Sequence, residues 1–216
     1  MVRFSLLTKM AKIDLKQELK DLYFPSTKEV VMIDVPDMNF LMVDGKGNPN
    51  TSKDFQDALG ALYPVAYTLK FRFKNSSNKT DFAVMPPEAL WWSGGKEMLD
   101  LQSKENWEWT IMIMQPNFVT KDLVVETIEQ IKLKKKKETP VALSKVQFKK
   151  YHEGRSAQIM YIGPYADEGP TIMKIHEFIK EAGYRPLGKH HEIYLGDPRR
   201  AKPEKLKTVI RQPMKK

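Results

Sequence analysis

The sequence predicts an α+β chain assembled from two copies of one strand–helix–strand–strand module. Three observations predict it. The order of strand, glycine-containing turn, helix and two strands occurs twice along the 216 residues. The turn phrases correspond, with VDGKGNPN (43–50) in the first half and YIGPYADEGP (161–170) in the second. Each half closes on a similar phrase, TIMIMQP (110–116) and KTVIRQP (207–213). Self-similarity in element order is the mark of an internal duplication.

The elements follow from local pattern. KIDLKQELKDLY (12–23) reads as a short polar helix or arm. VVMIDVP (30–36) is a strand stopped by Pro36, and NFLMVDGKGNPN (39–50) a second strand that breaks into a turn at Asp44-Gly45. Ser52 can cap the next helix, where Phe55, Leu59, Leu62, Ala66 and Leu69 recur at helical spacing and Pro64 implies a kink. DFAVMPPEALWW (81–92) is strand-like, but Pro86-Pro87 should bend it or confine it to an edge. WEWTIMIMQP (107–116) is the clearest strand. A helix from about residue 121 to 134 carries Val124, Ile128 and Ile131 on one face.

In the second half KVQFKKY (145–151) and SAQIMYIGPY (156–165) read as strands. PTIMKIHEFIKEAGY (170–184) reads as a helix, with Ile172, Ile175, Ile179 and Ala182 on its apolar stripe and Gly183 ending it. HHEIYL (190–195) and EKLKTVIRQP (204–213) complete the set as strands.

Composition narrows the function classes. There is no cysteine, which removes disulfides, thiolate catalysis and Cys-ligated metal centres. No apolar run approaches the ~20 residues of a membrane span. The first residues show no cleavable signal pattern, so a soluble cytoplasmic protein is expected. A formal charge of +9 first suggests nucleic acid. Its distribution argues otherwise: residues 1–130 carry 15 basic and 18 acidic side chains, and the largest basic block, Lys134–Lys137, sits at a helix end. Lysines there complement the helix dipole. The block lacks the arginines and aromatics of a nucleic-acid surface.

Glu192 is the sharpest candidate for chemistry. Strand alternation puts His190, Glu192 and Tyr194 on one face and His191, Ile193 and Leu195 on the other. A carboxylate in an otherwise apolar strand is paired, protonated or functional, and burial should raise its pKa. The competing reading is a salt bridge to one of the many lysines and arginines. All four tryptophans, Trp91, Trp92, Trp107 and Trp109, fall in one short stretch. With Met112 they suit a flat lipophilic or cationic ligand, or ordinary core packing. Tyr67 and Tyr165 are the favoured hydroxyl donors, with Tyr63 and Tyr161 near them in sequence. His190 and His191 point to opposite faces and cannot readily share an ion, so no metal site is expected. GxSxG, phosphate-loop and GxGxxG patterns in their proper context are missing, and no cofactor is expected.

The phrases KIDLKQELKDLY, FLMVDGKGNPN, YPVAYTLKF, PPEALWW, WEWTIMIMQPNFVT, QIMYIGPYADE, HHEIYLGDPRR and LKTVIRQP span nearly the whole chain and resemble the GyrI-like small-molecule-binding domain family, in particular its stand-alone branch. The resemblance implies a pseudo-two-fold antiparallel sheet, two flanking helices and a central ligand cleft. It divides the chain into an N-terminal arm (1–28), a first module (29–118), a linker helix (119–140) and a second module (141–216). It implies that Glu192 is the ligand-contacting carboxylate. Some stand-alone members hydrolyse cyclopropane rings of DNA-alkylating natural products, whereas others bind lipophilic, often cationic, compounds. The site expected on this basis is Glu192 and Tyr165 as catalytic groups, with Tyr67, Trp92, Trp107, Trp109, Met112, Tyr161, His190 and Tyr194 around the ligand. The alternatives are a non-catalytic ligand sensor and a protein-binding inhibitor. The roughly 28 residues before the first strand are too few for a helix-turn-helix unit, so direct DNA binding is not expected.

Overall fold

The computed structural model describes residues 12–94, 99, 104–135 and 138–216. Lys136 and Lys137 of the lysine run, and residues 1–11 of the arm, lie outside them. The arm begins as two single helical turns, α1 (Leu15–Glu18) and α2 (Lys20–Tyr23), the first capped by the Asp14 side chain on the Lys16 amide. The first half continues with β1 (Val31–Val35), β2 (Met38–Lys46), α3 (Lys53–Lys74), β3 (Pro87–Ser93) and β4 (Trp107–Gln115). After α4 (Lys121–Lys135) come β5 (Gln147–Tyr151), β6 (Gly154–Ile162), α5 (Gly169–Glu181), the two-residue β7 (Arg185–Pro186), β8 (His190–Tyr194) and β9 (Lys207–Lys215).

The strands form one antiparallel sheet in the order β1-β6-β9-β8-β3-β4-β2-β5, with β7 added beside β9. Matching β1, β2, β3 and β4 with β5, β6, β8 and β9 makes this order read the same from either edge. The pseudo-two-fold therefore falls between β3 and β8. Each half opens on the two strands read from its sequence, although the repeating plan counts only one of them, and they do not form a hairpin. β1 pairs with β6 and β2 with β5. Both ladders keep one register: Val31 faces Gln158, and Met38, seven residues on, faces Tyr151, seven residues back. They are two parts of one ladder interrupted at Pro36-Asp37 and His152-Glu153, and through it the sheet closes on itself.

Three expectations change. β3 is a central strand between β4 and β8, not an edge, because Pro87 is its first residue and costs the ladder only a terminal N–H. β2 does not break at Asp44-Gly45 but pairs with β4 as far as Lys46. The reason is steric: Gly45 lies beneath Trp109, where a Cβ would overlap the indole. The two closing phrases are offset by two residues in space. Asp44 faces Thr110, whereas Met160, at the same position of β6, faces Val209. A shift of two preserves the face, which is why the phrases still look alike.

Both helices cover the same face. α3 continues through Pro64 and buries Leu62, Val65, Ala66 and Leu69 over β2 and β4. α5 buries Ile172, Ile175 and Ile179 over β6 and β9, against Ala157, Ile159 and Ile210. The central pair β3 and β8 lies between them. α4 packs on α3 at the outside. No helix among the described residues is long and apolar enough to cross a membrane.

Candidate functional site

The central strip has a defined chemistry. In β8 the helix-side residues are His190, Glu192 and Tyr194, as alternation predicted; across the β3 ladder Ala89 faces Glu192 and Trp91 faces His190. Glu192 is 8% exposed and fully engaged. Tyr194 donates its hydroxyl proton to Glu192 Oε2 at 2.6 Å, and His190 Nε2 lies 3.2 Å from Oε1. Trp91 Nε1 donates to the Tyr194 hydroxyl at 3.2 Å. Rings continue from this point in both directions. Tyr165 meets Tyr194 edge-on at 5.4 Å, and Phe55 of α3 stacks on Trp91 at 5.6 Å and meets Trp109 edge-on at 5.1 Å. Trp107 tilts against Trp91 at 5.3 Å. The result is one carboxylate in a panel of aromatic faces.

The electrostatics correct one expectation. Burial alone would push Glu192 up, but the hydrogen bonds and charge of His190, with those of Tyr194 and Trp91, outweigh it and hold the carboxyl below its ordinary value. Glu192 is therefore ionised at neutral pH. Tyr194 moves the opposite way, well above 10, through burial and the adjacent Glu192 charge. Tyr165 is pushed up to about 12, by burial first and then by Glu168, Glu192 and Asp197. Glu168, just ahead of α5 and 3% exposed, is pushed up to about 9 by burial and then by the Glu192 charge, against weaker pulls from the Thr208 hydroxyl and then Lys104. Two carboxyls of opposite protonation thus share the site at neutral pH.

The other predicted residues divide. Trp107 and Trp109 belong to the panel and are buried. Met112 and Trp92 point to the opposite face; Met112 is wholly buried there, and Lys189 Nζ sits 3.4 Å above the Trp92 ring. Tyr161 is a turn residue: its hydroxyl donates to the Pro164 carbonyl at 3.0 Å, bracing Gly163, whose φ of 152° suits glycine. Tyr67 stands exposed on α3, its ring between those of Tyr63 and Phe71. With Ile131 and Lys134 of α4 it lines a separate groove of about 470 Å³.

The sequence reading grouped Trp91 with the other tryptophans but left it out of the expected site, and it overlooked Glu168. Trp91 sits beside the chosen Trp92, and only the β3–β8 register decides which of them faces Glu192. Glu168 precedes the Gly169-Pro170 helix start, where an acidic residue reads as a dipole partner. His191 lies on the face away from Glu192, as strand alternation predicted. There its Nδ1 lies 2.9 Å from Glu153 and its Nε2 3.0 Å from Glu88. Arg211 donates to Glu153 at 2.9 Å, to Gln158 at 2.9 Å and to the Leu22 carbonyl at 2.7 Å, and Tyr23 donates to Glu88 at 2.8 Å. Burial alone would lower His191, but the flanking carboxylates, Glu153 above all, raise it to about 9. Glu153 falls to about 2 despite burial, drawn down by His191 and Arg211. This cluster ties α2 to the middle of the sheet.

Comparison with known proteins fits this geometry. A family model described as the GyrI-like small molecule binding domain matches residues 28–215. An uncharacterized conserved protein from Listeria innocua is 41% identical, with a TM-score of 0.85 over 94% of this chain and 100% of that one. A hydrolase from Listeria innocua is 38% identical, with a TM-score of 0.80 over 94% and 100% of the respective chains. The EcmrR C-terminal domain, 10% identical with a TM-score of 0.55 over 87% of this chain and 98% of that one, shares the fold. No curated protein matches. With the family model matching nearly the whole chain, over the sheet and both flanking helices, the chain belongs to the GyrI-like small molecule binding domain family.

Proposed function

We propose that the strip between α3 and α5 binds flat lipophilic molecules, cations among them, and hydrolyses electrophilic cyclopropanoid compounds. The observation that supports this reading is the ionised, nearly buried Glu192 set among Trp91, Tyr194 and Tyr165. An anionic carboxylate with aromatic faces attracts a delocalised cation. The same carboxylate, placed against a strained ring, draws a proton from an attacking water. The 38% identical hydrolase from Listeria innocua favours turnover over binding alone.

The experiment uses two probes. Incubation with a spirocyclopropyl cyclohexadienone, followed by mass spectrometry, should show a product one water heavier. Titration with proflavine, read by tryptophan quenching, should show saturable binding that weakens at least tenfold, about 1.4 kcal/mol, in Glu192→Gln. Proflavine binding without ring-opened product would replace the hydrolase with a ligand sensor. Binding of neither probe would favour the protein-binding inhibitor.

A further inference from the structure

We infer that Glu168 is the general acid of this site, delivering its proton to the ligand oxygen while Glu192 acts as the base. The inference rests on the hydrolytic reading above and departs from it in the identity of the acid, which the sequence assigned to a tyrosine. Four observations carry it. Glu168 is 3% exposed, although it lies at the start of a helix where acidic side chains ordinarily reach solvent. Its Oε1 makes no hydrogen bond of good geometry among the described residues; the side-chain hydroxyl that bears on the carboxyl is that of Thr208, opposite Tyr194 across the β8–β9 ladder, whose Oγ1 is likewise without a well-formed bond and lowers the carboxyl only weakly. Its charge is felt by Tyr165 and Tyr194, so it belongs to the same cluster as Glu192. Its backbone carbonyl, not its side chain, accepts from the first amides of α5, Thr171 at 2.9 Å and Ile172 at 3.0 Å, which leaves the carboxyl free of the capping task.

The chemistry separates Glu168 from the tyrosines. Protonation at neutral pH is required of any acid here, and all of these groups satisfy it. Ease of proton release is the second requirement. Glu168 at about 9 gives up its proton far more readily than Tyr165 at about 12. The groups facing Glu168 are Glu192 and Tyr194 of β8, Tyr161 of β6, Tyr165 beside it, and Lys104, the one cation of this set. In the step itself the oxygen of water bonds to a cyclopropane carbon and one of its protons passes to Glu192. The ring C–C bond breaks, and its electron pair moves through the conjugated dienone to the carbonyl oxygen. That oxygen takes the proton of Glu168 and becomes a phenol. Proton exchange with solvent then returns Glu192 to its anion and Glu168 to its acid, for a net addition of one water.

Two measurements on the full chain test this. Infrared difference spectra of the free protein, Glu168→Gln against wild type at pH 7, should show loss of a protonated carboxylic acid carbonyl band. Ring opening of the spirocyclopropyl cyclohexadienone should slow by about 10²–10⁴-fold in Glu168→Gln. Wild-type rates should also fall as pH rises through about 9, where Glu168 loses its proton. The Gln variant should lack that limb, and Glu168→Asp, which keeps an acid, should recover part of the rate. A missing carbonyl band, or a Gln variant as fast as wild type with its alkaline limb intact, would overturn the role of Glu168 and leave the hydrolase standing. A wild-type protein that binds the dienone without opening it would overturn both.

Discussion

Replacing Glu153 by Gln removes one carboxylate from the buried cluster of Glu88, His191 and Arg211 at nearly constant size. In the native fold that carboxylate meets His191 at 2.9 Å and Arg211 at 2.9 Å, with the side chains of all three essentially inaccessible to water. His191 holds its proton up to about 9, so two carboxylates face two cations and the cluster is neutral. Without Glu153, either a net positive charge stays buried or His191 gives up its proton. Breaking a buried pair in this way costs about 3–5 kcal/mol. The pH dependence carries a separate magnitude. His191 titrates near 9 in the fold against an ordinary 6.5, so its protonation adds stability that is complete below 6.5 and lost as pH rises through 9. That difference corresponds to about 3 kcal/mol. Glu153, held to about 2 against an ordinary 4.5, describes the same contact from its other side; its contribution is present above 4.5 and lost as pH falls through 2. The two are one interaction and do not add. Urea unfolding between pH 6 and 9.5 is the assay. Wild type should lose about 3 kcal/mol over this range. Glu153→Gln should begin about 3–5 kcal/mol lower and stay nearly flat, so that the curves converge. A cost below about 1 kcal/mol at pH 6, or two parallel curves, would refute the reasoning.

Three further outcomes follow from single contacts. Gly45→Ala forces a methyl into the Trp109 ring and should destabilise by about 1–3 kcal/mol with an altered tryptophan emission, both read in one denaturation experiment. Tyr23→Phe leaves Glu88 short of its 2.8 Å donor and should cost about 1.5–3 kcal/mol in urea, the range for hydrogen bonds to charged groups. Trp91→Phe keeps a ring against Phe55 but deletes the N–H that donates to Tyr194 and leaves a small cavity in the core, so proflavine affinity should fall a few-fold and stability by about 1–2 kcal/mol, by fluorescence titration and thermal melting.

What the sequence could disclose was what depends on neighbours along the chain. Helical spacing located α3 and α5, and alternation set His190, Glu192 and Tyr194 on one side of β8. What depends on partners across the sheet stayed hidden. No local pattern says that β1 leaves β2 and pairs with β6, or that β3, with its prolines, occupies the centre. The choice between Trp91 and Trp92 is a parity question settled only by the β3–β8 register. The same limit explains the sign error at Glu192. Read along the strand, its neighbours Ile193 and Leu195 predict a desolvated carboxyl driven up. Read in space, the polar neighbours two residues away, His190 and Tyr194, lie on its own face and bring it down. Burial pressure is not removed by this; it reappears at Glu168, where Thr208 and Lys104 pull too weakly to offset it and the carboxyl is driven up. The pseudo-two-fold sharpens the point, because the position in β3 matching Glu192 is Ala89 and the position matching Tyr194 is Trp91. A symmetric scaffold thus carries an asymmetric pair of carboxyls, one ionised and one protonated, at the one strip of sheet that the two helices flank. That asymmetry is the feature a binding site needs to orient an unsymmetrical ligand, and it arises where the matching strands β3 and β8 differ, Ala89 standing for Glu192 and Trp91 for Tyr194.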